Sequence, residues 1–237
     1  MGIHELFPYQ DWDLKSSELL LLFSQKQWSA LMASGQRSLL AKGELLFKQD
    51  EPAGDVYYVH RGNLKLTGFG QTVYMAGPGE FVGYQQVFSG DRHAATWLAF
   101  TDVDLTVIPG DKLMDFIDAH HEIKIGFLRM VSRHQAVFTN FYALFAHACP
   151  NQLVATVLLI LSKKLSSEEL AQFSFGIPCL EVAGMTSLTE VETAEVTDGF
   201  EFQGIIELVD DEIWIFDPLR LAELAMPQVN VKPKLSQ

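Results

Sequence analysis

Between Lys164 and Arg220 the chain has no lysine, arginine or histidine at all. The same stretch, residues 165–219, holds 13 acidic side chains, which leaves 17 acids against 17 Lys and Arg in the rest of the chain. The whole net charge of -13 therefore sits in one segment. Two readings stay open: a solvated acidic surface, or a segment that avoids nucleic acid or meets something basic. Cysteine is also scarce. Cys149 and Cys179 are the two in the chain, too few for a disulfide framework or for an iron–sulfur cluster by themselves. Long apolar runs are missing. The longest, Leu19 to Phe23 and Leu153 to Leu161, fall far short of the ~20 residues of a membrane span. No basic region, apolar stretch and small-residue cleavage site follow one another near Met1. Leu6 stands where a myristoylation signal needs Ser or Thr. The expectation is a cytoplasmic protein with no membrane partner. Catalytic signatures are lacking too: no Gly-x-Ser-x-Gly, no His-Glu-x-x-His, and no phosphate-binding glycine loop followed by Lys. Gly68-Phe69-Gly70 lacks the third glycine and a following helix. The chain is not expected to be an enzyme.

What is present is core material. Of 237 residues, 48% are apolar and 11% aromatic, enough for one large domain or two small ones. Residues 17–34 have helical spacing, with Ser24 as N-cap before Gln25 to Met32. From Arg37 to Ile108 the pattern becomes short Val-, Tyr-, Phe-, Leu- and Thr-rich runs. They are Glu44 to Phe47, Val56 to His60, Leu64 to Thr67, Thr72 to Met75, Ala95 to Phe100 and Val103 to Ile108. Ala53-Gly54-Asp55, Arg61-Gly62-Asn63, Gly77-Pro78-Gly79 and Ser89-Gly90-Asp91 punctuate them. Many short strands at even spacing predict an antiparallel sandwich or barrel. Pro109 fits the first turn of a helix.

A long helix is predicted from about His121 to Ala148. Ile123, Phe127, Met130, His134, Val137, Phe141, Leu144 and Ala148 recur in steps of four and three, a heptad seam with one polar member. A second stripe, Leu128, Val131, Phe138, Tyr142 and Phe145, lies on an adjacent face. The reading is a parallel homodimer with its seam on Ile123, Phe127, Met130, His134, Val137, Phe141 and Leu144. Two His134 rings meeting there would make the dimer pH-sensitive.

Cys149-Pro150-Asn151 breaks that helix. Gln152 to Leu165 resumes it, Ile177 to Ala183 is a short helix ended by a turn at Gly184, and Thr186 to Thr197 is another, ended by Asp198-Gly199. Strands Ile205 to Val209 and Glu212 to Phe216 flank Asp210-Asp211. Helix, turn, helix, hairpin is the winged-helix order. Residues 226–237 read as a frayed tail.

Five pieces in this order carry a resemblance: Gly43-Glu44-Leu45-Leu46-Phe47, Val56 to Gly62, Pro78-Gly79-Glu80-Phe81-Val82-Gly83, Ala95-Thr96, and Val103 to Pro109. With them, residues 20–220 resemble the cyclic-AMP receptor protein/FNR (Crp/Fnr) superfamily of bacterial transcription regulators. The resemblance implies an α+β chain. Residues 1–120 would form an effector-binding antiparallel β-roll, a double-stranded β-helix of the cyclic-nucleotide-binding type. Residues 121–148 would be a dimerisation helix, residues 149–225 an acidic winged helix-turn-helix, and residues 226–237 the tail.

The family's cassette places an Arg on the cyclic phosphate, a Glu on the ribose, and a Ser after the Arg. Here Tyr84 stands at the Glu position, His93 at the Arg position and Ala94 at the Ser position. Arg92 is one residue early, which on a strand turns it to the other face. A buried phosphate needs a fixed cation and donors, so cyclic AMP is not the expected ligand. The expected pocket comprises Gly79, Glu80, Phe81, Val82, Gly83, Tyr84, His93, Ala94, Ala95 and Thr96, with Phe138 and Thr139 from the long helix. Phe81, Tyr84, Phe138 and Tyr142 suggest an aromatic or apolar small-molecule effector, or simply a filled pocket.

No cofactor or metal is expected. The superfamily has a haem-binding branch, yet the seven histidines include no His-x-His pair, and haem is disfavoured. For DNA, the second helix would read bases with Thr186, Ser187, Thr189, Glu190, Glu192 and Thr193. Thr, Ser and Glu can bond base edges, but nothing there supplies the charge that gives DNA affinity. Two functions follow. One is an effector-responsive regulator of transcription. The other is a sensor that has left DNA and works through a protein partner such as RNA polymerase, or as an acidic decoy.

Overall fold

The computed structural model describes residues 17–68, 71–165 and 176–225. The expected tail, Phe69, Gly70, Glu168 and Glu169 lie outside the described residues. The first described element is α1 (Ser17–Leu20), followed by α2 (Gln25–Ala33). Ser24 opens α2 with a capping box: Gln27 N–H donates to its hydroxyl, and the Gln27 side chain accepts from Ser24 N–H.

The predicted strands form two four-stranded antiparallel sheets. One has β1 (Gln36–Leu40), β8 (Val103–Pro109), β3 (Asp55–Arg61) and β6 (Phe81–Val82) in that order. The other has β2 (Leu45–Phe47), β7 (Thr96–Ala99), β4 (Leu64–Gly68) and β5 (Gln71–Ala76). Leu40, Tyr57, Val59, Val82 and Leu105 of the first sheet meet Phe47, Leu64, Tyr74 and Ala99 of the second in one core. Strands β1 and β6 were not anticipated. Gln36–Leu40 is largely exposed and lacks clean alternation. It is held by pairing with β8 and by Arg37, whose guanidinium forks onto Asp104 at 2.6 Å through both nitrogens. Gly83, at φ +83°, lets the chain turn from β6 into α3 (Tyr84–Ser89).

Pro109 caps α4 (Gly110–Ala119), and α5 follows over His121–His147. Here the seam expectation is corrected. Ile123, Phe127, Met130, His134 and Val137 are all buried within the chain itself. The β-roll alone does not cover them. α1, α2 and α4 complete the cover, through Leu19, Leu31, Leu113 and Ile117. Leu19 and Leu22 pack so closely on Gly126 that a Cβ there would lie 2.4 Å from a Leu22 methyl. The face left open carries Leu128 and Tyr142, 57% and 79% exposed, with Phe138 at its edge. The side chains of Phe141 and Leu144 lie outside the described residues. His134 therefore cannot meet its own copy across a dimer seam.

The C-terminal unit is built on α6 (Pro150–Leu165), whose Val154, Leu158 and Leu161 are wholly buried. Two predicted boundaries change. Ile177–Pro178 is a strand, β9, that pairs with the end of the hairpin rather than starting a helix. α7 then runs Cys179–Thr186 straight through Gly184. Gly184 marks close approach, not a turn: a Cβ there would sit 3.0 Å from the Thr72 backbone nitrogen on β5. α8 (Glu190–Phe202) also runs past Asp198-Gly199, because Phe200 beyond them is a core residue. β10 (Ile206–Val209) and β11 (Glu212–Ile215) make the wing, with Asp210 and Asp211 in left-handed conformation at its tip. α9 (Pro218–Ala225) packs back on α6.

The C-terminal core does not stop at its own elements. Met75 of β5 belongs to it, with Phe100 against it. Glu181 of α7 is buried, and it receives Lys65 Nζ at 2.7 Å and the Thr72 hydroxyl.

Candidate effector site and candidate nucleic-acid interface

A cavity of about 130 Å³ lies inside the β-roll, between its second sheet, α3 and α5. Of the twelve expected pocket residues, Glu80, Phe81, Val82, Tyr84, Ala94, Ala95 and Phe138 line it. Gly79 and Gly83 shape the backbone from outside the lining, each at positive φ. Thr96 accepts a hydrogen bond from Gln49 N–H, and Thr139 donates to the Gln135 carbonyl along its own helix. Tyr142 is exposed.

His93 is placed differently from expectation. It is buried but stacks on Phe47 at 3.6 Å between ring centroids, and it is absent from the lining. Its Nδ1 has no hydrogen-bond partner, and burial lowers its pKa from the ordinary histidine value. A ring held neutral this way cannot serve as the fixed cation of a phosphate site. Arg92 turns outward, its Nη1 donating to the Asp50 carbonyl at 2.7 Å, as the one-residue shift predicts.

The lining brings in residues the sequence did not flag. Tyr74 and Ala76 come from β5, Leu66 from β4, Phe47 from β2 and Trp97 from β7, with Gln85 and Gln86 from α3 and His134 from α5. Strand alternation could have signalled Tyr74 and Ala76, one face of one strand. The heptad stripe puts His134 on the covered side of α5, but the sequence does not say that the cavity rather than a second copy lies against it.

Two polar contacts organise the cavity. Tyr84 is hydrogen-bonded to His134 Nδ1, tying α3 to α5. Burial first, and the Glu80 charge second, push the Tyr84 phenol well up. Glu80 itself is buried, and its carboxylate accepts from the Tyr74 hydroxyl at 2.7 Å and from Gly77 N–H at 3.2 Å. Among the described lining residues Glu80 is the one Asp, Glu, Lys or Arg. The site thus offers aromatic walls, one buried carboxylate and no guanidinium or ammonium.

The second site is the outer face of the C-terminal unit. Of its six expected base readers, Thr186 ends α7 buried, its hydroxyl on the Val182 carbonyl. Ser187 is the turn residue at φ +57°, and Thr189 is the N-cap of α8. Thr193 is buried and bonds the Thr189 carbonyl. Thr186 and Thr193 are therefore corrected: each is buried with its hydroxyl turned back onto the carbonyl four residues earlier in the chain, and cannot reach a base. Glu190 and Glu192 remain exposed, joined along α8 by Glu195, Asp198 and Glu201. Hydrogen bonds from Thr189 hold the Glu192 carboxyl below the usual carboxylate range, so its charge persists.

Comparison with known proteins agrees with this architecture. Residues 37–120 match the cyclic nucleotide-binding domain. Over 198 residues the chain is 24% identical to the transcriptional activator protein Anr of Pseudomonas aeruginosa, covering 81% of each. The chain resembles the Crp/Fnr superfamily. The Crp/Fnr fold extends to solved structures. The c-di-GMP responsive global regulator CLP of Xanthomonas campestris superposes with a TM-score of 0.69 at 17% identity, over 81% of this chain and 99% of that one. FixK2 of Bradyrhizobium japonicum superposes at 0.67 with 19% identity, over 81% and 98%. The β-roll cavity lies within the part that matches the cyclic nucleotide-binding domain, and α7–α8 with the β10–β11 hairpin follow in the winged helix-turn-helix order. Among the described residues no helix is long and apolar enough to cross a membrane, and no group of three His, Cys, Asp or Glu side chains is placed to hold a metal.

Proposed function

We propose that this Crp/Fnr-type chain is a dimeric regulator of transcription whose β-roll senses a small molecule other than cyclic AMP. The observation that carries this reading is the cavity lining: Tyr84 and the rings around it replace the cation a cyclic phosphate needs, and Glu80 would repel that phosphate. Dimerisation uses the open face of α5, where Leu128 and Tyr142 stand exposed with the polar Ser132, Gln135 and Thr139 between them, on a helix ~40 Å long.

A second reading is favoured by the surface of α8. Glu190, Glu192, Glu195, Asp198 and Glu201 face solvent where phosphate contacts would be made, so the winged helix acts on transcription through a protein partner such as RNA polymerase. Fluorescence anisotropy with a random-sequence duplex pool, at low and at ~200 mM salt, separates the two. Affinity that falls steeply with salt, with an inverted-repeat site recovered on selection, establishes direct DNA reading by a dimer. No binding at low salt establishes the protein-partner route. Calorimetry with cyclic AMP in parallel gives no heat if the sensor reading holds.

A further inference from the structure

The space in the cavity, and what its lining leaves unpaired, define a guest more narrowly than "small molecule". At about 130 Å³ it is roughly ten times the volume that holds one water, and close to the ~150 Å³ apolar cavity that accepts benzene. Close-packed interiors leave few voids of this size. A nucleoside phosphate joins a base, a sugar and a phosphate, and does not fit. Short side chains keep the space: Ala76, Ala94 and Ala95 stand on the lining beside Leu66 and Trp97.

The polar groups of the inner lining are engaged with the chain. Tyr84 and His134 share a hydrogen bond. Glu80 takes the Tyr74 hydroxyl on one carboxylate oxygen and Gly77 N–H on the other. Among the described residues, the buried side-chain nitrogen and oxygen atoms without a partner are His93 Nδ1 and Thr156 Oγ1, and neither residue is on the lining. A guest therefore finds no unpaired buried side-chain group to bond. Any polar atom it carried inward would lose its water without replacement. Gln85 is exposed and Gln86 half-buried, and with the exposed Ala94 and Phe138 they mark where the cavity meets solvent.

We propose that the cavity binds an uncharged, apolar molecule the size of a single six-membered ring, which enters past Gln85 and Phe138. This rests on the reading of the β-roll as a sensor. The binding energy comes from taking the guest's apolar surface out of water, not from hydrogen bonds.

The test is titration calorimetry on the full chain with benzene, pyridine, naphthalene and cyclic AMP. Pyridine has benzene's shape with one hydrogen-bond acceptor in the ring. Benzene should bind at least about tenfold more tightly than pyridine, because the ring nitrogen would be buried unanswered. Naphthalene should not bind. Ala95→Leu takes up the space and should abolish benzene binding. Leu66→Ala is the companion variant: it enlarges the cavity and should admit naphthalene while benzene still binds. Equal binding of pyridine and benzene overturns the apolar assignment and leaves the sensor reading intact. Silence of benzene at millimolar concentration also overturns it, as does benzene binding that Ala95→Leu leaves unchanged. Naphthalene binding to the unaltered chain overturns the size limit. Binding of cyclic AMP that Ala95→Leu abolishes overturns the sensor reading as well.

Discussion

The β-roll and the winged helix treat acidic side chains in opposite ways. In the β-roll, Glu80 is buried and accepts hydrogen bonds from Tyr74 and Gly77. On α8, five carboxylates stand in water on one helix. Burial turns a single carboxylate into a discriminating group, because a charge out of water must be answered by donors or by a ligand. Exposure makes five of them cheap to keep and long-ranged in effect, repelling any polyanion. Glu181 stands between the two regimes. It belongs to the winged helix, yet it is buried against the β-roll and answered by Lys65 and Thr72. The acidic unit is therefore tied to its neighbour by Glu181, the one buried acid among its described residues.

Reversing charge on α8 is the sharpest way to break the contrast. Glu190→Arg, Glu195→Arg and Asp198→Arg together should raise affinity for duplex DNA at low salt by about 10³-fold, and the salt slope should grow by roughly three counterions. Anisotropy at two salt concentrations reads both. If affinity is unchanged, the surface is held from DNA by something other than its charge. The next largest effect lies at the junction. Lys65→Met leaves Glu181 buried without its cation and should destabilise the chain by about 3 kcal/mol. Adding Glu181→Leu should recover most of that loss in urea unfolding. Failure of the double variant to recover would mean that the pair is not what couples the two units. Within the cavity, Tyr84→Phe removes the hydroxyl partner of His134 and should cost about 1–2 kcal/mol, read by the same unfolding experiment. Thr189→Ala at the N-cap of α8 should cost about 1 kcal/mol and fray that helix.

The smallest effect is on pH. Burial lowers the pKa of His93, so below the ordinary histidine value the unfolded chain takes up a proton that the folded chain resists. Stability from this source is full at neutral pH and falls as pH drops through about 6.5 toward the lowered folded value. His60, also lowered by burial, adds to the same slope. His93→Phe should flatten the loss of melting temperature between pH 7.5 and pH 5.

Much of the fold was legible because its signals are local. Ser24 precedes a run of helix formers, the glycine turns bracket strands, and Asp210-Asp211 sits between two alternating runs. The misreadings have a common physical cause, which is contact with distant chain. Gly184 looks like a break until β5 is seen passing beside it. Asp198-Gly199 looks like a stop until Phe200 is found in the core. Ile123 to Val137 has the period of a coiled-coil seam, but a heptad stripe reports only that a face is covered. Here α1, α2, α4 and the β-roll cover it. For the site, the cassette positions Tyr84, His93 and Ala94 warned that no phosphate cradle remains. They could not reveal Tyr74, Trp97 or His134, whose place on the lining depends on sheet order and helix rotation.

β4 and β5 form a wall one strand thick. Leu66, Tyr74 and Ala76 point into the cavity, while their neighbours Lys65 and Met75 reach the winged helix. Because side chains alternate across a strand, a one-residue insertion within β4 would exchange its two faces. It would deliver an ammonium into the aromatic cavity and strip Glu181 of its partner in the same event. The hairpin can therefore change its sequence position by position, but its reading frame through the sheet is locked from both sides.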